Sequence, residues 1–298
     1  MKMSRIKSSL DENEFYIMMK KAWRLHSQIL PYKRYMEFGE FDIYSFVVFA
    51  KSIGGDHRSF IEYGSRYNLE QISKINEQKK DTIDYKQRLG IFIADVSGHD
   101  FEDLLLVHNL HSSLYTAIPY ELEKNGYVSS HLFDNLNTRM FNSTPLGKYI
   151  SAIYAEIRKD RFARFMIAGH PLPLIYDIAK KDFIDIDYRV SVPLGIFPTT
   201  GYIDQTPGAL VPDHRASFEM SEFYLPEKSI TVLYTDGVVE IEDKDENEFG
   251  LERLKEVIVK ESDKESKEIF RQVLLATNKH RGVSRNHDDR TMVVIKKS

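Results

Sequence analysis

The segment SITVLYTDGVVE, residues 229–240, joins an apolar strand pattern to an aspartate and a glycine. The same arrangement, an apolar run that ends in aspartate, occurs in RLGIFIAD, residues 88–95. Two more aspartates adjoin apolar runs in IGGD, residues 53–56, and in DDRTMVVI, residues 288–295. A side chain at the end of a strand projects from a rigid element, as a preorganised site requires. These strand ends predict one constellation of four carboxylates: Asp56, Asp95, Asp236 and Asp288.

The rest of the chain alternates strand pairs with helices. Period-two and helical patterns predict strands over 42–53, 149–157, 162–168, 174–178, 183–187 and 291–296, and helices over 101–118, near 250–260 and over 263–279. Strands joined by short hairpins are antiparallel, and helices that arrive in blocks suit a layered α+β fold. Two polar segments, 57–87 and 197–220, are predicted to be surface loops or insertions.

Composition excludes several classes of protein. The chain has 298 residues and a net charge of −4, which argues against a basic nucleic-acid footprint. It has no cysteine, so disulfides, thiolate catalysis and cysteine-ligated metals are excluded, and a reducing cytoplasm is the expected location. No apolar run approaches the roughly 20 residues of a membrane span, and no signal peptide is recognisable at the start. We therefore expect a cytoplasmic protein that binds neither nucleic acid nor membrane.

The N-terminal region is predicted to form a helix and linker, residues 1–35, before a single domain over 36–298. Residues 11–30 carry an apolar stripe at helical spacing that includes the only tryptophan, Trp23, and Pro31 ends the pattern. A helix of this length must bury its stripe to be stable in water. The domain itself, a second copy of the chain or a regulatory partner could cover it, and we expect a homodimer.

The chemistry of the four aspartates favours a hard divalent cation. Carboxylates and carbonyls without cysteine suit Mg²⁺ or Mn²⁺, and the neighbouring Gly55 and Gly237 would let backbone, metal or substrate approach closely. A single aspartate after a strand is most often a turn former or helix cap. The prediction of a metal centre therefore rests on the whole set.

Six motifs in a fixed order carry a family resemblance. They are ADVSGH (94–99), AGHPLPL (168–174), PLGI (193–196), LYTDGVVE (233–240), FGLERL (249–254) and DDRTMVVI (288–295). Together they resemble the metal-dependent protein phosphatases (PPM) of the bacterial SpoIIE/RsbU branch, over about residues 36–298. The resemblance implies an αββα sandwich of two antiparallel sheets flanked by helices, with two Mn²⁺ or Mg²⁺ ions at one end.

The resemblance also implies roles for individual residues. Asp95 would bridge both ions and the Val96 carbonyl would bind one of them. Asp56 would reach the second ion directly or through water. Asp236 and Asp288 would hold the other ion, and Asp289 would support its neighbour rather than ligate. Catalysis would then depend on Asp95, Asp236 and Asp288, because a water shared by two ions loses a proton near neutral pH and can attack a phosphoester.

The implied function is serine/threonine protein phosphatase, with a phosphorylated STAS-domain anti-sigma-factor antagonist as substrate in a partner-switching pathway. The sequence departs from the family pattern at Asp100, where glycine is usual, at Ser59, where an acid is frequent, and through the 57–87 segment. These departures leave open an alternative, a catalytically impaired PPM-fold module that acts by protein interaction, although the intact Asp56, Asp95, Asp236 and Asp288 argue against it. A nucleic-acid phosphodiesterase would need a basic groove that the charge balance does not suggest.

Other candidate sites are weaker. His108 and His111 stand three apart on a predicted helix, but no third ligand is near in sequence, so a structural role is predicted. His99 and His170 lie inside motifs and are interpreted as turn or supporting residues. The acidic segment 240–250 lacks the central glycine and final glutamate of an EF-hand, which indicates a solvated loop.

Overall fold

The computed structural model describes residues 34–50, 54–68, 87–98, 101–143, 147–199, 214–283 and 288–298. Four isolated positions of the N-terminal segment, 17, 20, 21 and 24, are also described, and all four are helical and exposed. The remainder of the predicted 11–30 helix, together with His99 and Asp100, lies outside the described residues.

Twelve strands lie in the described part of the chain. They are β1 (Tyr35–Phe38), β2 (Phe41–Val48), β3 (Asp56–Glu62), β4 (Arg88–Val96), β5 (Ile150–Arg158), β6 (Phe162–Ala168), β7 (Leu174–Asp177), β8 (Asp182–Phe183), β9 (Val190–Ser191), β10 (Ser221–Tyr224), β11 (Ser229–Tyr234) and β12 (Arg290–Lys297). The helices are α1 (Tyr63–Arg66), α2 (Phe101–Asn125), α3 (Ser130–Ser143), α4 (Gly250–Lys260) and α5 (Ser266–Arg281), with a 3₁₀ turn at Asp236–Val238.

The strands form two sheets. Sheet A has the order β1-β2-β12-β11-β7-β8, and sheet B has the order β10-β6-β5-β4-β3. Neighbouring strands are antiparallel throughout, except that the short β9 runs parallel to β6. The predicted hairpins appear as β5–β6 and β7–β8. The predicted α+β fold with two antiparallel sheets and flanking helices is confirmed.

Three apolar layers hold the sandwich together. The middle layer lies between the sheets and takes residues such as Ile43 and Val293 from sheet A and Ile91 from sheet B. Helices α2 and α3 cover the outer face of sheet B, where every fourth residue of α2 is buried: Leu110, Leu114, Ile118 and Leu122. Helices α4 and α5 cover the outer face of sheet A. This layering leaves the ends of the strands as the places where polar groups of both sheets can meet.

The interpretation of 57–87 as a polar surface insertion is wrong for its first part. Residues 56–62 form β3, which pairs with β4 along its whole length, and Ile61 and Tyr63 are fully buried. The polar residues that suggested a loop can be buried because their side chains form hydrogen bonds. Arg58 donates to Ser45 Oγ, and the His57 ring forms a hydrogen bond with Ser59 Oγ at 2.7 Å. Residues 69–86 of the segment lie outside the described part.

Helices α2 and α3 also differ from the sequence prediction. Helix α2 continues to Asn125, past the predicted end at 118, with Pro119 inside it. Helix α3 was not predicted, although its buried residues Leu132, Leu136 and Met140 recur at a spacing of four.

Within the described residues, none of the helices combines the length and apolar character that a bilayer crossing requires.

Candidate metal centre

The four predicted aspartates come to one end of the sandwich. Asp56 begins β3 and faces Asp95 directly across the β3–β4 ladder. Asp236 comes two residues after β11 ends, and Asp288 comes two residues before β12 begins. Because β11 and β12 are antiparallel, with Tyr234 opposite Met292, the end of one strand and the start of the other coincide. Each sheet therefore contributes two aspartates to the same region.

Asp56 is the most enclosed of the four, with 1% of its surface exposed. The hydroxyl of Thr235 donates to Asp56 Oδ2 at 2.9 Å, and the hydroxyl of Thr291 donates to the same oxygen at 2.6 Å. Burial raises the pKa of Asp56 well above its ordinary value, and the charges of Asp95 and Asp289 raise it further. This carboxyl group is held by sheet A although it belongs to sheet B.

Asp289 connects backbone segments around the site. It is 3% exposed, and its Oδ1 accepts the Ala50 amide at 2.7 Å while its Oδ2 accepts the Asp56 amide at 3.3 Å. These bonds tie the residues after β2 and the first residue of β3 to the start of β12. Asp289 thus supports the backbone of Asp56.

The carboxylates destabilise one another in the absence of a cation. Burial, and then the charges of Asp236 and Asp288, together raise the pKa of Asp95 to about 8. Burial and the charge of Asp288 also raise the pKa of Asp236. Glu240, four residues after Asp236, has a raised pKa for the same reasons, burial first and then Asp236. The region concentrates negative charge that a cation would neutralise.

The two glycines of the predicted site are needed for close approach. A Cβ atom at Gly55 would lie 2.7 Å from the carbonyl oxygen of Val96 and 2.9 Å from that of Gly98. A Cβ at Gly237 would lie 2.0 Å from the carbonyl oxygen of Asp289. Any side chain would separate the segments that carry the aspartates.

The donor chemistry fits a hard divalent cation. The oxygens near the site are carboxylates and the Val96 carbonyl, which suit Mg²⁺ or Mn²⁺. Within the described ranges, however, no three acidic or histidine side chains stand close enough together to form a ready ligand set.

Three residues of this region were not predicted from the sequence. Thr235 and Thr291 hold Asp56, and Glu240 adds to the negative charge. All three lie inside the quoted motifs, one residue before Asp236, three after Asp288 and four after Asp236. Their positions were therefore visible, but the contact of Thr235 and Thr291 with Asp56 depends on packing of one sheet against the other.

The histidines take separate positions. His170 is buried, and its Nδ1 lies 2.9 Å from the hydroxyl of Ser151, which pairs with Asp95 in the β4–β5 ladder. Burial lowers the pKa of His170 to about 3. His111 lies over sheet B, with its Nδ1 3.2 Å from His57 Nε2, and burial lowers its pKa to about 4. Both rings are therefore neutral near pH 7.

Solved structures resemble this fold at low sequence identity. The PP2C domain of SiaA from Pseudomonas aeruginosa matches with a TM-score of 0.67 and 14% identity, over 96% of this chain and 98% of that one. The SpoIIE phosphatase domain from Bacillus subtilis, with a fragment of its regulatory domain, matches with a TM-score of 0.57 and 15% identity, over 86% of this chain and 64% of that one. RsbX in complex with magnesium matches with a TM-score of 0.55 and 12% identity, over 89% and 98%. At such identities the likeness shows the fold.

Sequence comparison identifies the family. A search of curated proteins gave no match. The family model described as Stage II sporulation protein E (SpoIIE) matches residues 85–298, which is more than half of the chain and includes β4, β11 and β12. The members and structural neighbours of this family are PP2C-type serine/threonine phosphatases, which are metal-dependent hydrolases. The chain therefore belongs to the SpoIIE family of PPM-type protein phosphatases.

Proposed function

We propose that this chain hydrolyses phosphoserine or phosphothreonine on a protein substrate, with two Mn²⁺ or Mg²⁺ ions. The observation that carries the proposal is the convergence of four aspartates, two from each sheet, with Asp56 directly opposite Asp95. The raised pKa of Asp95 supports it, because a buried cluster of acids is costly unless cations neutralise it. The magnesium named with RsbX is a further support by likeness of fold.

The residues that would hold the ions are those of the four strand ends. Asp95 would bridge the two ions, and the Val96 carbonyl and Asp56 would complete one position. Asp236 and Asp288 would hold the other. When bound, the ions would neutralise phosphoryl oxygens and lower the pKa of a water molecule. The chain itself would orient Asp56 through Thr235 and Thr291.

The site can be tested with a generic phosphoester such as p-nitrophenyl phosphate. We expect hydrolysis in Mn²⁺ or Mg²⁺, loss of hydrolysis in EDTA, and recovery when the metal is restored. Asp236→Asn should lower turnover by at least about 10-fold, because losing a ligand costs no less than losing a partner that orients one. Asp187→Asn, which changes an exposed aspartate on the same molecule, is the matched control and should keep full turnover. Metal-independent hydrolysis, or full turnover by Asp236→Asn, would contradict the proposal.

For the substrate we propose a phosphorylated STAS-domain anti-sigma-factor antagonist in a partner-switching pathway. The support is membership of the SpoIIE family. Incubation with phosphorylated STAS proteins, with and without Mn²⁺, tests it by release of phosphate. Hydrolysis of the generic phosphoester without release from any STAS protein would reject this substrate while leaving the phosphatase activity intact. We further propose a cytoplasmic location, which the cysteine-free composition supports.

The alternative function is a PPM-fold module that binds proteins without turnover. One observation favours it: Ser59 is 2% exposed and its hydroxyl bonds the His57 ring at 2.7 Å, so this position of β3 offers no acid. A metal titration separates the two functions. Saturable Mn²⁺ binding without phosphoester hydrolysis would favour the binding module.

A further inference from the structure

Two threonine hydroxyls converge on one oxygen of Asp56. Thr235 directly follows β11 and Thr291 lies in β12, so both hydroxyls come from the sheet A side, whereas Asp56 begins β3 of sheet B. Both threonines are fully buried. Their hydroxyls donate to Asp56 Oδ2 at 2.9 and 2.6 Å. This contact joins the two sheets at the end where the aspartates meet.

Backbone hydrogen bonds also hold the hydroxyl of Thr235. The Thr291 amide donates to Thr235 Oγ1 at 2.9 Å, and the Thr235 amide donates to the Thr291 carbonyl at 3.0 Å. A hydroxyl has one proton to donate. Because Thr235 Oγ1 already accepts a proton from the Thr291 amide, its own proton is the one that reaches Asp56. The pair is therefore a preorganised donor for a carboxylate.

The consequence concerns the other oxygen of Asp56. With Oδ2 held by two donors and the Asp56 amide held by Asp289, the carboxyl group has a fixed plane. Oδ1 is then the oxygen left to face an ion or its water. We propose that Thr235 and Thr291 are positioning residues that orient Asp56 as a ligand of the second ion. This inference rests on the proposed metal-dependent function.

The chain offers a matched control for the same chemistry. Thr231 also lies in β11 and is also fully buried, and within the described part of the chain its hydroxyl has no hydrogen-bond partner. Replacement of threonine by valine keeps the shape and removes the hydroxyl. A general effect of removing a buried threonine hydroxyl in or next to β11 would appear in Thr231→Val as well as in Thr235→Val.

The experiment measures Mn²⁺ binding by isothermal titration calorimetry in the full chain. We expect Thr235→Val and Thr291→Val to weaken the binding step that depends on Asp56 by about 10- to 100-fold, the range for partners that orient a ligand. Thr235→Ser and Thr291→Ser keep the donor and should restore most of the affinity. Thr231→Val should bind like the wild type. Circular dichroism and thermal melting establish that each variant is folded, and alanine replaces valine where valine does not pack.

A double-mutant cycle makes the assignment specific. In an Asp56→Ala background, Thr291→Val should cause no further loss of Mn²⁺ affinity, since the group that it orients is gone. Wild-type affinity in folded Thr235→Val and Thr291→Val, or an equal loss in Thr231→Val, would overturn the inference while the wild type still binds metal and hydrolyses phosphoester. Absence of Mn²⁺ binding by the wild type would overturn the proposed function itself, and this inference with it.

Discussion

Asp95 places a charged group in an enclosed position near the end of β4. It is the last residue but one of the strand β4, and burial together with the charges of Asp236 and Asp288 raises its pKa to about 8. A carboxyl group with a raised pKa destabilises the folded protein increasingly as the pH rises through that pKa. The same negative charge would attract a divalent cation. The charge that lowers the stability of the metal-free protein would therefore contribute to its affinity for metal.

Replacement of Asp95 by asparagine should separate these two effects. At pH 8.5 in EDTA, Asp95→Asn should unfold at a higher temperature than the wild type, because the replacement removes a buried charge that its neighbours repel. In saturating Mn²⁺ the wild type should gain thermal stability and Asp95→Asn should gain little. Differential scanning calorimetry measures both. A variant that gains as much from Mn²⁺ as the wild type would show that Asp95 does not hold the metal.

His170 gives a prediction for acidic pH. Burial lowers its pKa to about 3, whereas a histidine in an unfolded chain has a pKa near 6.5. As the pH falls below 6.5 the unfolded chain takes up a proton that the folded protein refuses, so stability is lost. The loss from this group should reach about 2 kcal/mol at pH 5.

A comparison of wild type and His170→Gln isolates that contribution. Glutamine cannot take up the proton, so the variant should lose about 2 kcal/mol less than the wild type between pH 7 and pH 5. Urea unfolding at each pH gives the free energy of unfolding of the two proteins, and hence its change with pH. If the free energy of unfolding changes equally with pH in the two proteins, His170 is not held in its neutral form in the folded protein.

At the scale of elements, apolar strands were the most predictable. Strands β4, β11 and β12 each contain an apolar run, and three of the four aspartates lie in or next to these strands, so both the strands and their charged ends were visible in the sequence. Strand β3 was missed because DHRSFIE reads as polar. Its polar groups are buried through partners such as Ser45, which are far away in sequence. The contact of Thr235 with Asp56 was missed for the same reason.

The corrected limits of β3 change what a deletion should do. We expect replacement of residues 69–86 by a short Gly/Ser linker to leave cooperative unfolding and generic phosphoester hydrolysis intact, and to alter recognition of a protein substrate. A longer deletion that also removes 57–68 should abolish folding, because it removes the edge strand of sheet B and the buried Ile61 and Tyr63. Circular dichroism and urea unfolding compare the two. Failure of the shorter deletion to fold would assign 69–86 to the core.

At the scale of the whole molecule, the sandwich places its site where both sheets end. Helices cover the two outer faces and the apolar middle layer separates the sheets. Thr235 and Thr291, from the sheet A side, donate to Asp56 of sheet B. Asp289, the residue before β12, accepts a hydrogen bond from the Asp56 amide at the start of β3. Metal bound at this end would therefore engage both sheets at once, and its effect on stability should be global.

The N-terminal segment provides the last prediction. Its sequence carries an apolar stripe at helical spacing over residues 11–30, which includes Met19 and Trp23. A helix of about 20 residues must bury such a stripe to be stable in water. We expect a second copy of the chain to cover it. Met19→Glu combined with Trp23→Glu would place two charges in that interface and convert a dimer to a monomer, with lower activity and an unchanged domain.

Light scattering at tens of micromolar measures the state of each protein. The matched control changes the exposed Lys20 and Lys21 to glutamate, which alters charge on the same segment outside the stripe, and it should remain dimeric. A monomeric Met19→Glu/Trp23→Glu variant beside a dimeric Lys20→Glu/Lys21→Glu variant would locate the interface on the stripe, because a change of charge alone would affect both. A wild-type chain that is monomeric at this concentration would remove the dimer and make docking of the stripe on the chain's own domain the better account.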